Sequence, residues 1–201
     1  MPETRLKIRV FGDPILRRKA KPVKRVSAEH REILSLMVNS MYEGSGIGLA
    51  APQVGISAQL IVADIGEGLY KLINPKIVKR RGSQAISEGC LSVPGACIKV
   101  KRAKQVWLEA LDENSCPVKL VAKDLFACVL QHEIDHLKGK LIVDYASLLE
   151  KLRIKRKLKT LKESIESVGP DLAALSEGVL NEGKSETKAL VSDVVRHIQD
   201  E

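Results

Sequence analysis

QVWLEALDENSCPVKLVAKDLFACVLQHEIDHLKG, residues 105–139, decides the architecture. Its first half belongs to two β-rich runs, CIKVKRAKQVWLEAL (97–111) and PVKLVA (117–122), separated by the turn residues DENS. A connection that short leaves no room for a crossover helix, so the runs pair antiparallel. The second half changes period. Asp124 is placed to cap LFACVLQHEIDHL, which carries Leu125, Val129 and Leu137 toward a core and stops at Gly139.

Working outward, QLIVADI (59–65) and YKLINPKIVKR (70–80) add further β-rich runs, punctuated by GEG, Asn74-Pro75 and RGSQ. Before them, Ser27 caps AEHREILSLMVNSMY, where Ile33, Leu34, Met37, Val38 and Met41 recur at helical spacing, and GSG at 44–46 ends that helix. GDPILRRKAKPV (12–23) reads as an extended lead-in. A third helix begins near Ser147. The expected class is α+β: antiparallel β-sheets around a central helix carrying HExxH, with an N-terminal helix and a C-terminal helix. SVGPDL breaks the last helix, which divides the chain into a catalytic domain at 1–168 and a mobile extension at 169–201.

The chain has 201 residues, 44 % apolar and 29 % charged, an ordinary globular composition long enough to bury a core without disulfides. Cys90, Cys97, Cys116 and Cys128 are sparse and unevenly spaced, so free thiols are expected. MPETRLKIRV lacks the apolar core of a secretory signal, and no later run reaches membrane-spanning length, so a cytoplasmic location without membrane contact is expected. The formal charge of +8 suits an acidic partner such as RNA, or serves solubility. The charge is concentrated in LLEKLRIKRKLKTLKE (148–163), whereas 164–201 is net acidic.

The strongest chemical signal is His132-Glu133-Ile134-Asp135-His136. Helical residues four apart share a face, so two imidazoles can converge on one ion while Glu133 reaches a water beside it. A bare HExxH also arises by chance on surface helices, and a catalytic site of this kind takes three protein ligands. No HxxGxxH pattern follows; Asp144 and Glu150 are the nearby acids. Upstream, SEGCLSVPG places Cys90 in a Gly- and Pro-bounded turn, where it is either the third ligand or a packing cysteine. A Cys-His-His set accepts Fe(II), Zn(II), Ni(II) or Co(II). GIGLAAPQVG (46–55) is Gly-rich without the Gly-Lys-Ser/Thr of a phosphate loop, and reads instead as a substrate edge with Gln53 as a donor to a developing oxyanion.

GIGLAAPQ, EGCLS and QHEIDHLKG, in that order and after GDPILRRKAKPV, closely resemble the peptide deformylase family over about residues 7–163. The resemblance implies an enzyme that removes the N-formyl group from the initiator methionine of nascent polypeptides and releases formate. It implies Cys90, His132 and His136 as metal ligands, Fe(II) as the typical ion, and Glu133 as general base and proton donor. It also implies Gln53 and the backbone N–H of Leu91 as the oxyanion hole, and Gly48 as a partner of the substrate. Ile47, Ile86, Leu125, Cys128 and Val129 fall at positions lining a methionine pocket, and Glu88 with Arg102 at a buried ion pair. Cys97 and Lys101 depart from the family's usual Arg and Pro. Competing readings are a metallopeptidase, which the missing downstream ligand opposes, and a ribosome- or RNA-binding module built on 148–163. In that helix Ile154, Leu158, Leu161 and Ile165 share one face.

Overall fold

The computed structural model describes residues 6–154 and 156. One compact unit runs to Ala146, and a second begins at Ser147.

The first unit contains α1 (Ala28–Glu43), β1 (Gly48–Ala50), β2 (Leu60–Ala63), β3 (Tyr70–Arg81), β4 (Gln84–Glu88), β5 (Ile98–Arg102), β6 (Gln105–Leu111), β7 (Pro117–Lys123) and α2 (Asp124–Leu137). A five-stranded sheet has the order β1-β2-β3-β6-β7, and β4 pairs with β5 in a separate two-stranded sheet. Every pairing is antiparallel, as the short connections require. The α+β expectation holds.

Strand alternation sends side chains to both faces of the large sheet, and each face has its own core. Ile61, Ala63, Leu72, Val106, Leu108 and Ala122 pack with Ala127, Leu130 and Ile134 of α2. Leu60, Val62 and Ile73 pack on the opposite side with Leu34, Met37, Val38 and Met41 of α1. α2 is therefore buried along most of its length, and truncating fully buried Leu130 to Ala would cost about 2–5 kcal/mol. The Ser27 cap forms as read, with its hydroxyl accepting from the His30 amide and the His30 ring returning to the Ser27 amide.

Four details differ from the sequence reading. Asn74-Pro75 does not divide two runs, because β3 passes through it with a shifted register. Asn74 sits at φ +53°, and its side-chain amide exchanges two 2.8 Å hydrogen bonds with the backbone of Val23. That accommodates a proline inside a strand at a bulge. CIKVKRAKQVWLEAL is not one run but β5 and β6, in different sheets. β1 and β4 were not singled out as strands; both are short, and β1 lies in the Gly-rich segment read as a substrate edge. Asp124 does not cap α2. It is the first helical residue, at φ +49°, with Lys123 in the cap position and no side-chain cap bond. β7 runs directly into α2, and the Asp124 amide is used by Lys104 O at 2.8 Å.

Gly139 does end the helix, at φ +71°, with the Arg17 backbone so close that any Cβ would collide with it. In the second unit, residues 148–154 are helical, and the Glu150 carboxylate accepts from the Ser147 amide and hydroxyl at 2.8 and 2.6 Å. The rest of the predicted basic helix and the extension at 169–201 lie outside the described residues. No described helix is long and apolar enough to cross a membrane.

Candidate metal centre

HEIDH lies in the last turns of α2, where helical geometry stacks residues 132 and 136 on one face. Their Nε2 atoms are 3.2 Å apart. Cys90 arrives from the turn after β4, with its Sγ 3.3 Å from His136 Nε2, and the three donor atoms all lie within 4.8 Å of one another. This is the one such His/Cys/acid cluster among the described residues. Two imidazole nitrogens on one tetrahedral ion, each at ~2.0–2.1 Å, stand about 3.3 Å apart, so the pair fits a divalent cation. Asp144 and Glu150 take no part. Asp144 pairs with Arg17, and Glu150 caps Ser147.

Behind the donors, Glu88 Oε2 bonds His132 Nδ1 at 2.9 Å, and Arg102 grips the same carboxylate through Nε at 2.8 Å and Nη2 at 2.9 Å. Glu88 and Arg102 are both buried. Arg102 Nη1 also reaches Asp135, which accepts from the Tyr145 hydroxyl at 2.7 Å. Burial opposes ionisation of Glu88, but the Arg102 and His132 bonds prevail and lower its pKa. Burial also opposes protonation of His132, yet its bonds to Cys90 and Glu88 hold its pKa well above the ordinary value. His136, with burial and the charges of His132 and Arg102 acting together, is held well below.

Glu133 is buried, and desolvation pushes its carboxyl up to about 7. Its Oε2 and the Nδ1 of His136 are the buried side-chain polar atoms without a hydrogen-bond partner among the described residues. An unpaired carboxylate oxygen beside three side chains that could hold an ion is placed where a water or substrate could use it. Gly48 explains its own identity here: a Cβ would lie 2.9 Å from Val129 Cγ1 and closer still to the Glu133 carboxylate.

Gln53 sits in the 3-10 turn Ala51–Val54 after β1, buried. Its Oε1 accepts from the Ala50 amide at 2.8 Å, so Nε2 points toward Cys90 Sγ at 3.6 Å and Ser92 Oγ at 3.3 Å. Among the other expected positions, Cys128 and Val129 are buried on α2, whereas Leu125, one turn earlier, and Ile47 are exposed. Ile86 is half-buried on β4, opposite Val100. The Leu91 side chain packs beside Gly44 and Gly46. Sequence reasoning missed Ser92 and Tyr145, and it missed Gln84, whose amide contacts Cys128 Sγ at 3.1 Å. None carries a local motif; only the folded chain brings them in.

The polypeptide deformylase family model matches residues 5–152. The chain belongs to this family. A peptide deformylase of Syntrophomonas wolfei is 53 % identical over 140 residues, covering 69 % of this chain and 92 % of the relative. The crystal structure of a peptide deformylase from Legionella pneumophila superposes with a TM-score of 0.78 at 40 % identity, over 83 % of this chain and 99 % of that one. One from Synechococcus elongatus in complex with actinonin gives 0.74 at 42 % identity, over 79 % and 90 %. Peptide deformylases are metal-dependent enzymes that remove the N-formyl group from nascent peptides, and this chain is an enzyme of that kind with a Cys-His-His set.

Proposed function

We propose that Cys90, His132 and His136 hold a divalent cation, and that Glu133 serves it in hydrolysing the formyl amide of N-formylmethionyl nascent polypeptides. The observation that supports this most is the buried Glu133 carboxylate, with one oxygen unpartnered, packed against the Gly48 backbone beside the three donors. The bound ion supplies Lewis acidity and lowers the pKa of a water toward neutrality. Glu133 accepts a proton from the attacking water and delivers it to the methionine nitrogen as the C–N bond breaks. A carboxyl held near 7 suits both transfers. Gln53, its amide oriented by Ala50, donates through Nε2 to the developing oxyanion, together with the backbone N–H of Leu91. A formyl group carries only hydrogen on its carbonyl carbon, so a tight site would admit it and exclude acetyl. Ile47, Ile86, Leu125, Cys128 and Val129 line the methionine side.

Fe(II) is our first assignment for the ion; Zn(II), Ni(II) and Co(II) suit the same donors. Action on nascent chains suits a cytoplasmic location, and the basic segment 148–163 is our candidate for a ribosome contact.

The test is formate release from formyl-Met-Ala-Ser by anaerobically prepared, Fe(II)-loaded protein, with Glu133→Gln alongside. The variant should keep its metal and lose about 10²–10⁴-fold in rate. Loss of metal would show that Glu133 is a ligand. Cleavage of unformylated peptides faster than formate release would favour a peptidase.

A further inference from the structure

The side of the large sheet away from α2 is only half covered. α1 packs over Leu60, Val62 and Ile73, but farther along, the same face of β3, β6 and β7 lies open among the described residues. There the register lines up three cross-strand rows: Lys76–Glu109–Lys119, Lys79–Trp107–Val121 and Arg81–Gln105–Lys123. All five cations are exposed, and the one acid in the rows, Glu109, is 3.6 Å from Lys119. Trp107 occupies the centre, with the Lys79 ammonium 4.8 Å above its ring. At one corner Arg81, Lys104, Lys123 and the Asp124 carboxylate, 3.8 Å from Lys104 Nζ, line a cleft of about 290 Å³.

The rows carry five cations against one acid, so the face is strongly positive. A positive face around an aromatic is complementary to a polyanion with flat, stackable groups. Single-stranded RNA has both properties: phosphates for the lysines and arginine, and bases that stack on an aromatic ring. A bilayer fits less well, because Val121 is the one exposed aliphatic side chain in the rows and interfacial binding needs a larger apolar area.

We propose that the open face of β3, β6 and β7 binds single-stranded RNA, with a base taking the place of Lys79 on the Trp107 ring and phosphates held by the displaced Lys79, Arg81 and Lys123. This surface is independent of the metal centre and does not rest on the proposed chemistry there.

Trp107 is the chain's single tryptophan, so its fluorescence reports directly on the face. The full chain is titrated with a 12-nucleotide oligo(U) at rising salt. Saturable quenching is expected, with log affinity falling by roughly 0.7 per log salt for each phosphate engaged. The triple variant K79E/R81E/K123E should bind at least about tenfold more weakly and with a shallower slope. Unchanged formate release would show that the triple variant is folded. Trp107→Leu, followed by anisotropy of labelled RNA, should weaken binding by about tenfold. Three results would overturn the proposal: no binding at 50 mM salt; equal affinity in the triple variant with loss in K151E/R153E, which would assign binding to the basic helix; or tight capture by phosphatidylglycerol vesicles without any response to RNA.

Discussion

On the α2 side of the metal centre, His132 and His136 are fixed by one buried helix whose apolar face packs on five strands. On the other side, Cys90 stands in a turn whose position depends on distant partners. Ser92 O accepts from the Phe11 amide at 2.7 Å, Ser92 Oγ meets Gln53, and β4 is anchored through Glu88 to Arg102. The helix half is held by the same packing that stabilises the fold, so damage there disturbs both. The turn half is anchored by Leu91 and Val93 but aims its thiol through polar contacts, so a change at Cys90 itself can remove the ion-binding geometry while the fold survives.

The sharpest way to break this distinction is Cys90→Ser. Metal affinity, measured by titration of the apo protein, should fall by more than about a hundredfold, beyond what losing a group behind a ligand costs. The urea midpoint of the apo protein should scarcely move. Exposed Cys116, between β6 and β7 and outside the Cys-His-His cluster, should tolerate the same change. Equal damage from Cys116→Ser would undo the ligand assignment. Next in size, Glu88→Gln removes the acceptor that orients His132 and should lower metal affinity about 10–100-fold. An unchanged affinity would mean that α2 alone fixes the imidazole. Smallest in free energy, Gly48→Ala pushes against Glu133 and Val129 and should cost roughly 1 kcal/mol in a denaturant melt. It should lower turnover with metal content preserved; lost metal would show the two halves to be coupled through β1.

The same division explains what could be read in advance. α1, α2 and the pair of histidines follow from local periodicity, capping and i,i+4 spacing, which act over a few residues. Cys90 emerged as a candidate from its turn, but packing against it had to be weighed equally until motif order pointed to a family. Longer-range physics stayed hidden. β5 and β6 are adjacent in sequence yet diverge into separate sheets at Ala103 and Lys104, because Val100 faces Ile86 while Val106 joins the α2 core. Asn74 reads as a breaker until Val23 is seen to complete its amide. Tyr145 has no motif, and its role becomes visible only when Asp135 turns back toward it.

Arg102 is shared by two carboxylates, Glu88 and Asp135. Its single positive charge cannot neutralise both, so one negative charge is left over in a poorly screened setting. A cation held by Cys90, His132 and His136 would meet that excess directly behind its ligands. The arrangement would therefore retain a charged occupant by electrostatics as well as by the chemistry of its sulfur and nitrogen donors.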